Sequence, residues 1–378
     1  MKRVKEELKR LLGLIMEEAG KHNLSSGQER QSSVWQGKEP DFLPLLLYGP
    51  VPERENYARY DLREQFYDPE KMLYEQLWTA LAVLRGKADS LPSVRVNFGT
   101  GFLASVFGLS QEIFPDRMPW LKQHLNKKQL LSLSREKLEP LEEKGLLPAC
   151  RDYLTVYQGY LKDTPVKIFL PDTQGVFDLA HLVYGDNLFY EFYDDFAFVE
   201  HLLALSAYVY QRASQLIKSW VGEPLKTSYH SNCLFAAGCG VRSCEDSTTL
   251  LSPGLIEKVL PFELQAVSPF GGWFHFCGKN EFLLEKLLQA GEVAAVNFGN
   301  PEKFCWEKTL PRIEAAGKVY FGTVPRKEGE SLSVYFRRIL SYLSRKGTII
   351  LIAPVRSGEN CCDALTFWHE LQEKIFKN

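Results

Sequence analysis

Apolar positions along this chain fall into two alternating patterns. Runs of four to eight apolar and β-branched residues read as strands, and longer stretches with apolar residues three and four apart read as helices. The pattern predicts a helix over 69–90, a strand over 94–98 closed by Gly99-Thr100-Gly101, a charged helical region over 119–163, a strand over 166–171, a helix over 196–220 and a strand ending near Cys244. It continues with helix 253–266, strand 272–277, helix 280–290, strand 293–298, helix 302–315, strand 319–323, helix 331–345, strand 348–353 and helix 363–376. Ahead of this series, residues 1–22 read as an amphipathic helix and residues 23–40 as a loose polar linker. Strands alternating with helices imply βαβ units and a parallel sheet. Seven strands are direct and an eighth fits around Thr227 to Phe235, so the expected fold class is α/β: an (α/β)8 TIM-like barrel over 65–378 with an N-terminal helical extension over 1–64.

Composition narrows the class. The 378 residues are 45% hydrophobic, ample for a continuous core, and the formal charge of -2 is spread without a basic stripe, which argues against nucleic acid as a partner. The longest apolar runs, such as 348–355, are far too short to span a bilayer, so no membrane association is expected. Eight cysteines are scattered through a chain whose first residues mix both charge signs and lack an apolar targeting core. A cytoplasmic location with free or metal-binding thiols is the expectation.

The chemistry concentrates at Gly271-Gly272-Trp273-Phe274-His275-Phe276-Cys277-Gly278. Side chains two apart on a strand share a face, so the His275 imidazole and the Cys277 thiol converge on one point. With one more thiolate they would make a three-ligand zinc site with an open fourth position; a hydrogen-bonded core imidazole beside a buried thiol is the other reading. A second cluster, His230 with Cys233, Cys239 and Cys244, has irregular spacing and no paired knuckle, and reads as packing. In a barrel, strand C-termini gather at one mouth, and Asn97, Asp172, Asp246, His275, Cys277 and Asn297 all fall at or just past strand ends.

Several of these segments resemble the uroporphyrinogen decarboxylase superfamily. The resemblance lies in Pro171-Asp172-Thr173-Gln174-Gly175-Val176-Phe177-Asp178-Leu179-Ala180 with Gly185 and Tyr193-Asp194-Asp195 behind it, and in Cys244-Glu245-Asp246 running to Ser252-Pro253. Leu260-Pro261-Phe262-Glu263 and His275-Phe276-Cys277-Gly278 follow in register, and the likeness covers roughly 65 to 377. It implies the same barrel. The porphyrinogen decarboxylases of that superfamily carry an Arg-Gln-Ala-Gly-Arg segment, an Asp after the first strand and a late Gly-His-Gly. Here stand Tyr57 to Gln65 without that motif, Asn97-Phe98-Gly99-Thr100-Gly101 with no Asp, and Ala353-Pro354-Val355-Arg356 with no His. An amide cannot gather several pyrrole N–H donors as a carboxylate does, which disfavours a decarboxylase.

The corrinoid-dependent methyltransferases of the superfamily are the better likeness, because they carry His-x-Cys on a barrel strand and a late Cys, the three holding zinc. The resemblance implies a metal site of His275, Cys277 and Cys361, with Cys362 or Glu359 as alternatives to Cys361, since both cysteines come several residues after the last strand. It implies a methyl group moved between a corrinoid carried on a partner protein and a small methylated compound or thiol acceptor, the thiolate being held by zinc. Family members often pair as homodimers. Asp172, Arg242 and Asp246 are the candidate catalytic residues at the mouth, with Arg242 and Asp246 able to pair and Arg242 suited to an anionic substrate. A divergent barrel that binds a small ligand or corrinoid without transferring methyl groups is the alternative, and fold alone cannot choose.

Overall fold

The computed structural model describes residues 2–356 and 358–376. Its strands are β1 (Leu45–Leu46), β2 (Ser93–Arg95), β3 (Gln111–Glu112), β4 (Trp120–Leu121), β5 (Lys167–Phe169), β6 (Thr227–His230), β7 (Leu234–Ala237), β8 (Val241–Cys244), β9 (Gly272–Phe276), β10 (Val293–Phe298), β11 (Val319–Gly322) and β12 (Ile349–Ile352). Six of them form one parallel sheet in the order β1-β12-β11-β10-β9-β8. Parallel neighbours need a crossover, and each from β8 to β12 is supplied by a helix: Pro253–Val267, Glu281–Gln289, Trp306–Ala315 and Leu332–Leu340. Covered on both sides, these strands are continuous apolar runs. All four residues of β11 are buried, as are the first three of β12. Helix starts are set locally, as where the Asn280 side chain accepts from Leu283 N at 3.0 Å and Ser331 caps Val334 N.

β2 and β5 form a separate parallel pair, and β3 with β4 a short antiparallel one. The segment expected as an eighth parallel strand is instead the antiparallel hairpin β6–β7, in register from Thr227↔Ala237 to His230↔Leu234. The loop between His230 and Leu234 has three residues, of which Ser231 and Asn232 both take positive φ, 51° and 63°, and serine gives a weak sequence signal for such a turn. The hairpin is tied to β2, for Leu91 N donates to Cys233 O at 2.9 Å and Ser93 N to Asn232 O at 3.1 Å.

Two further expectations are corrected. Most of the supposed linker 23–40 is the helix Leu24–Trp35, which buries Gly27, Gln31, Val34 and Trp35. Gly27 lies against Asp89, whose carbonyl oxygen would stand 2.8 Å from an added Cβ, and this close approach fixes a helix that looks too polar to pack. Region 119–163 is not continuously helical: it holds β4 and the short helical pieces Lys127–Leu131, Arg135–Leu138 and Leu141–Glu143 before the helix Leu147–Leu161. The first 64 residues supply β1, paired in register Leu45↔Leu351 and Leu46↔Ile352, and Val4, Leu8, Leu11 and Ile15 join the core. Among the described residues, no helix is long and apolar enough to cross a membrane.

Candidate metal centre

The ends of β8, β9 and β10 bring Cys244, His275 and Asn297 level with one another, as Cys244↔His275 and Asn297↔His275 are register partners. The His275 Nδ1 lies 2.5 Å from Asn297 Oδ1. That amide is oriented by its other end, since Asn297 Nδ2 donates to Phe321 O at 2.5 Å, so Oδ1 is the acceptor and Nδ1 must carry the imidazole proton. Nε2 is left with a bare lone pair. It faces the Cys277 sulfur at 3.6 Å and Asp246 Oδ1 at 3.8 Å. Donor atoms of Cys244, Asp246 and His275 all lie within 4.8 Å of one another.

Asp246 is placed by its backbone. Asp246 N and Ser247 N donate to the two carboxylate oxygens of Asp178, at 2.9 and 2.7 Å, and Asp246 Oδ1 accepts from Cys277 N at 2.5 Å. Burial and the nearby Asp246 push Asp178 up to about 7. Behind this loop the buried Glu263 accepts from Val176 N and Phe177 N, holding the start of the helix Val176–Tyr184 against β8.

The donor set suits a borderline-soft cation. An imidazole nitrogen, two thiols and a carboxylate are the ligands zinc takes in proteins, and an imidazole oriented through its other nitrogen is the usual outer support. Burial, then the Asp246 carboxylate, pushes the Cys277 thiol up to about 11, and burial raises Cys244 well above the ordinary thiol range. Burial and Arg242 lower His275, which keeps it neutral. A cation at Nε2 would reverse the thiol shifts, because coordination stabilises the thiolate. Space is kept at the sulfur by Gly299, where an added Cβ would stand 2.5 Å from Cys277 Sγ.

Cys361 stands apart from this group. It opens the helix Cys361–Ile375, its sulfur 3.8 Å from Tyr48 O, and with Cys362, Arg85 and Glu359 it lines a cleft of about 780 Å³ past the ends of β1 and β12. Glu359 is engaged by Arg326, at 2.5 and 2.7 Å, and by Arg356 N. Among the described residues, the one group of three ligand-capable side chains within 4.8 Å is Cys244, Asp246 and His275. The His230 cluster disperses as well: His230 packs between the rings of Phe169 and Trp273, while the Cys233 sulfur receives the Tyr48 hydroxyl.

Asp172 and Arg242 meet in an ion pair, so Arg242 is partnered by Asp172 rather than by Asp246. Gln174 Nε2 adds a bond to Asp172 Oδ1 at 2.6 Å. Burial alone would raise the Asp172 carboxyl, but Arg242 and then Arg95 outweigh it and hold it well below the usual carboxylate range. Two residues of this site were not assigned to it by the sequence, where Cys244 reads as packing in the cluster with His230. Cys244 is a ligand candidate only through its register opposite His275, and Arg95, 3.8 Å from Asp172 Oδ2, sits inside a three-residue strand with no motif around it.

No family model matches the chain, and no curated protein does. Among solved structures it is similar to a methyltransferase from Methanosarcina mazei, with a TM-score of 0.62 at 15% identity over 90% of this chain and 97% of that one. At that identity the likeness is one of fold.

Proposed function

We propose that this chain is a zinc-dependent methyltransferase that moves a methyl group between a corrinoid held on a partner protein and a small methylated compound or thiol. The observation that carries the proposal is that Cys244, Asp246 and His275 bring their ligand atoms within 4.8 Å of one another at one end of a parallel sheet, with the Cys277 sulfur 3.6 Å from His275 Nε2. In this reading the six-stranded sheet and the β2–β5 pair wall one TIM-like barrel, and the centre lies at its mouth, where such folds hold their chemistry. The fold likeness to a methyltransferase supports the reaction class.

His275 with Cys277 and Cys244 would hold the metal, leaving a fourth position open beside Asp246, with Cys361 outside the set. Zinc bound there supplies a Lewis acid that keeps an incoming thiol ionised at neutral pH. Asn297 fixes the imidazole tautomer so that Nε2 presents its lone pair. Asp246, its side chain 41% exposed, offers the protons displaced from the thiols a carboxylate at the solvent edge. Cys277 is exposed, so a macromolecular methyl carrier can approach from the mouth.

Metal analysis tests the proposal. One zinc per chain is expected in protein purified under metal-replete conditions, lost with methyl transfer in Cys277→Ser and retained in Cys361→Ser. Wild-type protein without zinc, or full zinc in Cys277→Ser, would overturn it.

A further inference from the structure

Three residues that the metal centre does not use stand in line beside it. The helix Val176–Tyr184 carries His181, Asp186 follows that helix, and Ser247 lies in the loop after β8. Ser247 Oγ is 2.7 Å from His181 Nδ1, and His181 Nε2 is 2.9 Å from Asp186 Oδ1. An ionised carboxylate only accepts, so Nε2 carries the imidazole proton. Nδ1 then holds a lone pair, and the Ser247 hydroxyl donates to it. The ring also meets Phe189 edge-on, with centroids 5.1 Å apart at 71°, which fixes its plane. A hydroxyl aimed at an imidazole that a carboxylate orients is the arrangement that makes serine a nucleophile at neutral pH. Ser247 is half-buried and the His181 side chain is 23% exposed, so a small molecule can reach both.

The surroundings narrow the substrate. The N–H of Thr248, the residue after Ser247, donates no hydrogen bond among the described residues, and the N–H after a nucleophile is one that steadies the oxyanion of acyl transfer. The N–H of Ser247 itself is committed to Asp178 at 2.7 Å. A single oxyanion donor suits esters, with their better leaving groups, rather than amides. The neighbouring ionisable groups are carboxyls, with Asp178 on the Ser247 N–H, Asp246 one residue before and Asp186 on the imidazole, so an anionic substrate is repelled. We propose that Ser247, His181 and Asp186 form a second reactive centre, one that hydrolyses small uncharged or cationic carboxylic esters. Ser247 Oγ adds to the ester carbonyl while its proton passes to His181 Nδ1. The bond to the alcohol oxygen then breaks, the alcohol leaves with that proton, and a water molecule repeats the sequence on the acyl-serine to release the acid. No metal or methyl group enters these steps, so the centre stands independently of the methyl-transfer reading.

Treatment of the full-length protein with diisopropyl fluorophosphate tests it, because phosphorylation of a serine requires an activated hydroxyl and a hydrogen-bonding role alone does not supply one. One adduct per chain is expected by intact mass, with loss of fluoride, and peptide mapping should place it on Ser247. His181→Gln keeps a polar partner for Ser247 but no base, and should slow labelling by roughly 100- to 10,000-fold. Asp186→Asn should slow it by at most about fivefold, since the Asp186 side chain is 93% exposed and a pair so open to water is worth little. The part of 4-nitrophenyl acetate turnover that Ser247→Ala removes should exceed the corresponding part for the anionic 4-nitrophenyl hemisuccinate by roughly fivefold or more, the size of one like-charge repulsion at contact distance in water. Folded wild-type protein with no adduct on Ser247, or an adduct that forms as fast in His181→Gln, would overturn the centre. Equal turnover of the two esters at Ser247 would overturn the substrate class.

Discussion

At the scale of single residues, a histidine outside the site gives the clearest pH prediction. His369 stacks on Phe42 at 3.9 Å with a buried, unpartnered Nε2, and burial, then Arg30, pushes it down to about 4. An unfolded chain takes up that proton near pH 6.5 while the folded one waits until about 4. Stability should therefore fall as pH drops through that window, with a slope of up to about 1.4 kcal/mol per pH unit from this group. His369→Phe keeps the stack and removes the nitrogen, so urea denaturation between pH 7 and 4 should show a flatter decline; an unchanged slope would assign the loss to other groups. At the centre, Asn297→Leu should weaken zinc binding by about 10- to 100-fold without unfolding the sheet, because only the imidazole's orientation is lost. Competition with a chromophoric chelator measures that change. His275 and Cys277 could be read together because strand alternation is a local rule. Cys244 could not, because it joins them through register between two strands, which one sequence does not reveal.

At the scale of elements, the strands and helices from β9 onward were legible because each strand is a short, largely apolar run followed by a helix, three of which start at a capping Asn280, Ser331 or Asn360 side chain. The hairpin and the helix Leu24–Trp35 were not, since one depends on a turn made of Ser231 and Asn232 and the other on contacts with distant chain. That helix is sewn in by one side chain. Gln31, fully buried, donates to Asp89 O at 2.6 Å and accepts from Phe235 N at 2.8 Å, so it joins the helix to the strand β7 and to the segment before β2. Gln31→Ala should leave both backbone groups unpaired around a cavity and cost about 2–4 kcal/mol. The expected signature is a lower urea midpoint with an unchanged slope, and a loss below about 0.5 kcal/mol would show that water replaces the amide.

At the scale of the whole molecule, the boundary near residue 65 separates a resemblance from the rest of the chain, yet the sheet crosses it. β1 supplies its edge at β12, and Val34, Trp35, Leu43 and Leu45 are core residues. A chain beginning at residue 65 would expose the open edge of β12 together with that apolar surface. We expect it to be insoluble, or to dissolve as aggregate by light scattering, and to recover when residues 1–64 are supplied in trans. A soluble, cooperatively melting 65–378 fragment would show the opposite. The late cysteines illustrate why the candidate site was only half legible: Cys361, past β12, lies toward Tyr48, and loop paths leave no periodic trace in sequence.

The hydrogen bonds from His275 through Asn297 to Phe321 O run across three strands like a tie rod, at right angles to the chain. Its far anchor adjoins Gly322, at φ 145°, where an added Cβ would stand 2.7 Å from Asn297 Nδ2. The tension on the imidazole can thus be altered from a strand that offers the centre no ligand. Gly322→Ala would act as a wedge two links away, turning affinity for the ion into a readout of how the sheet is strung.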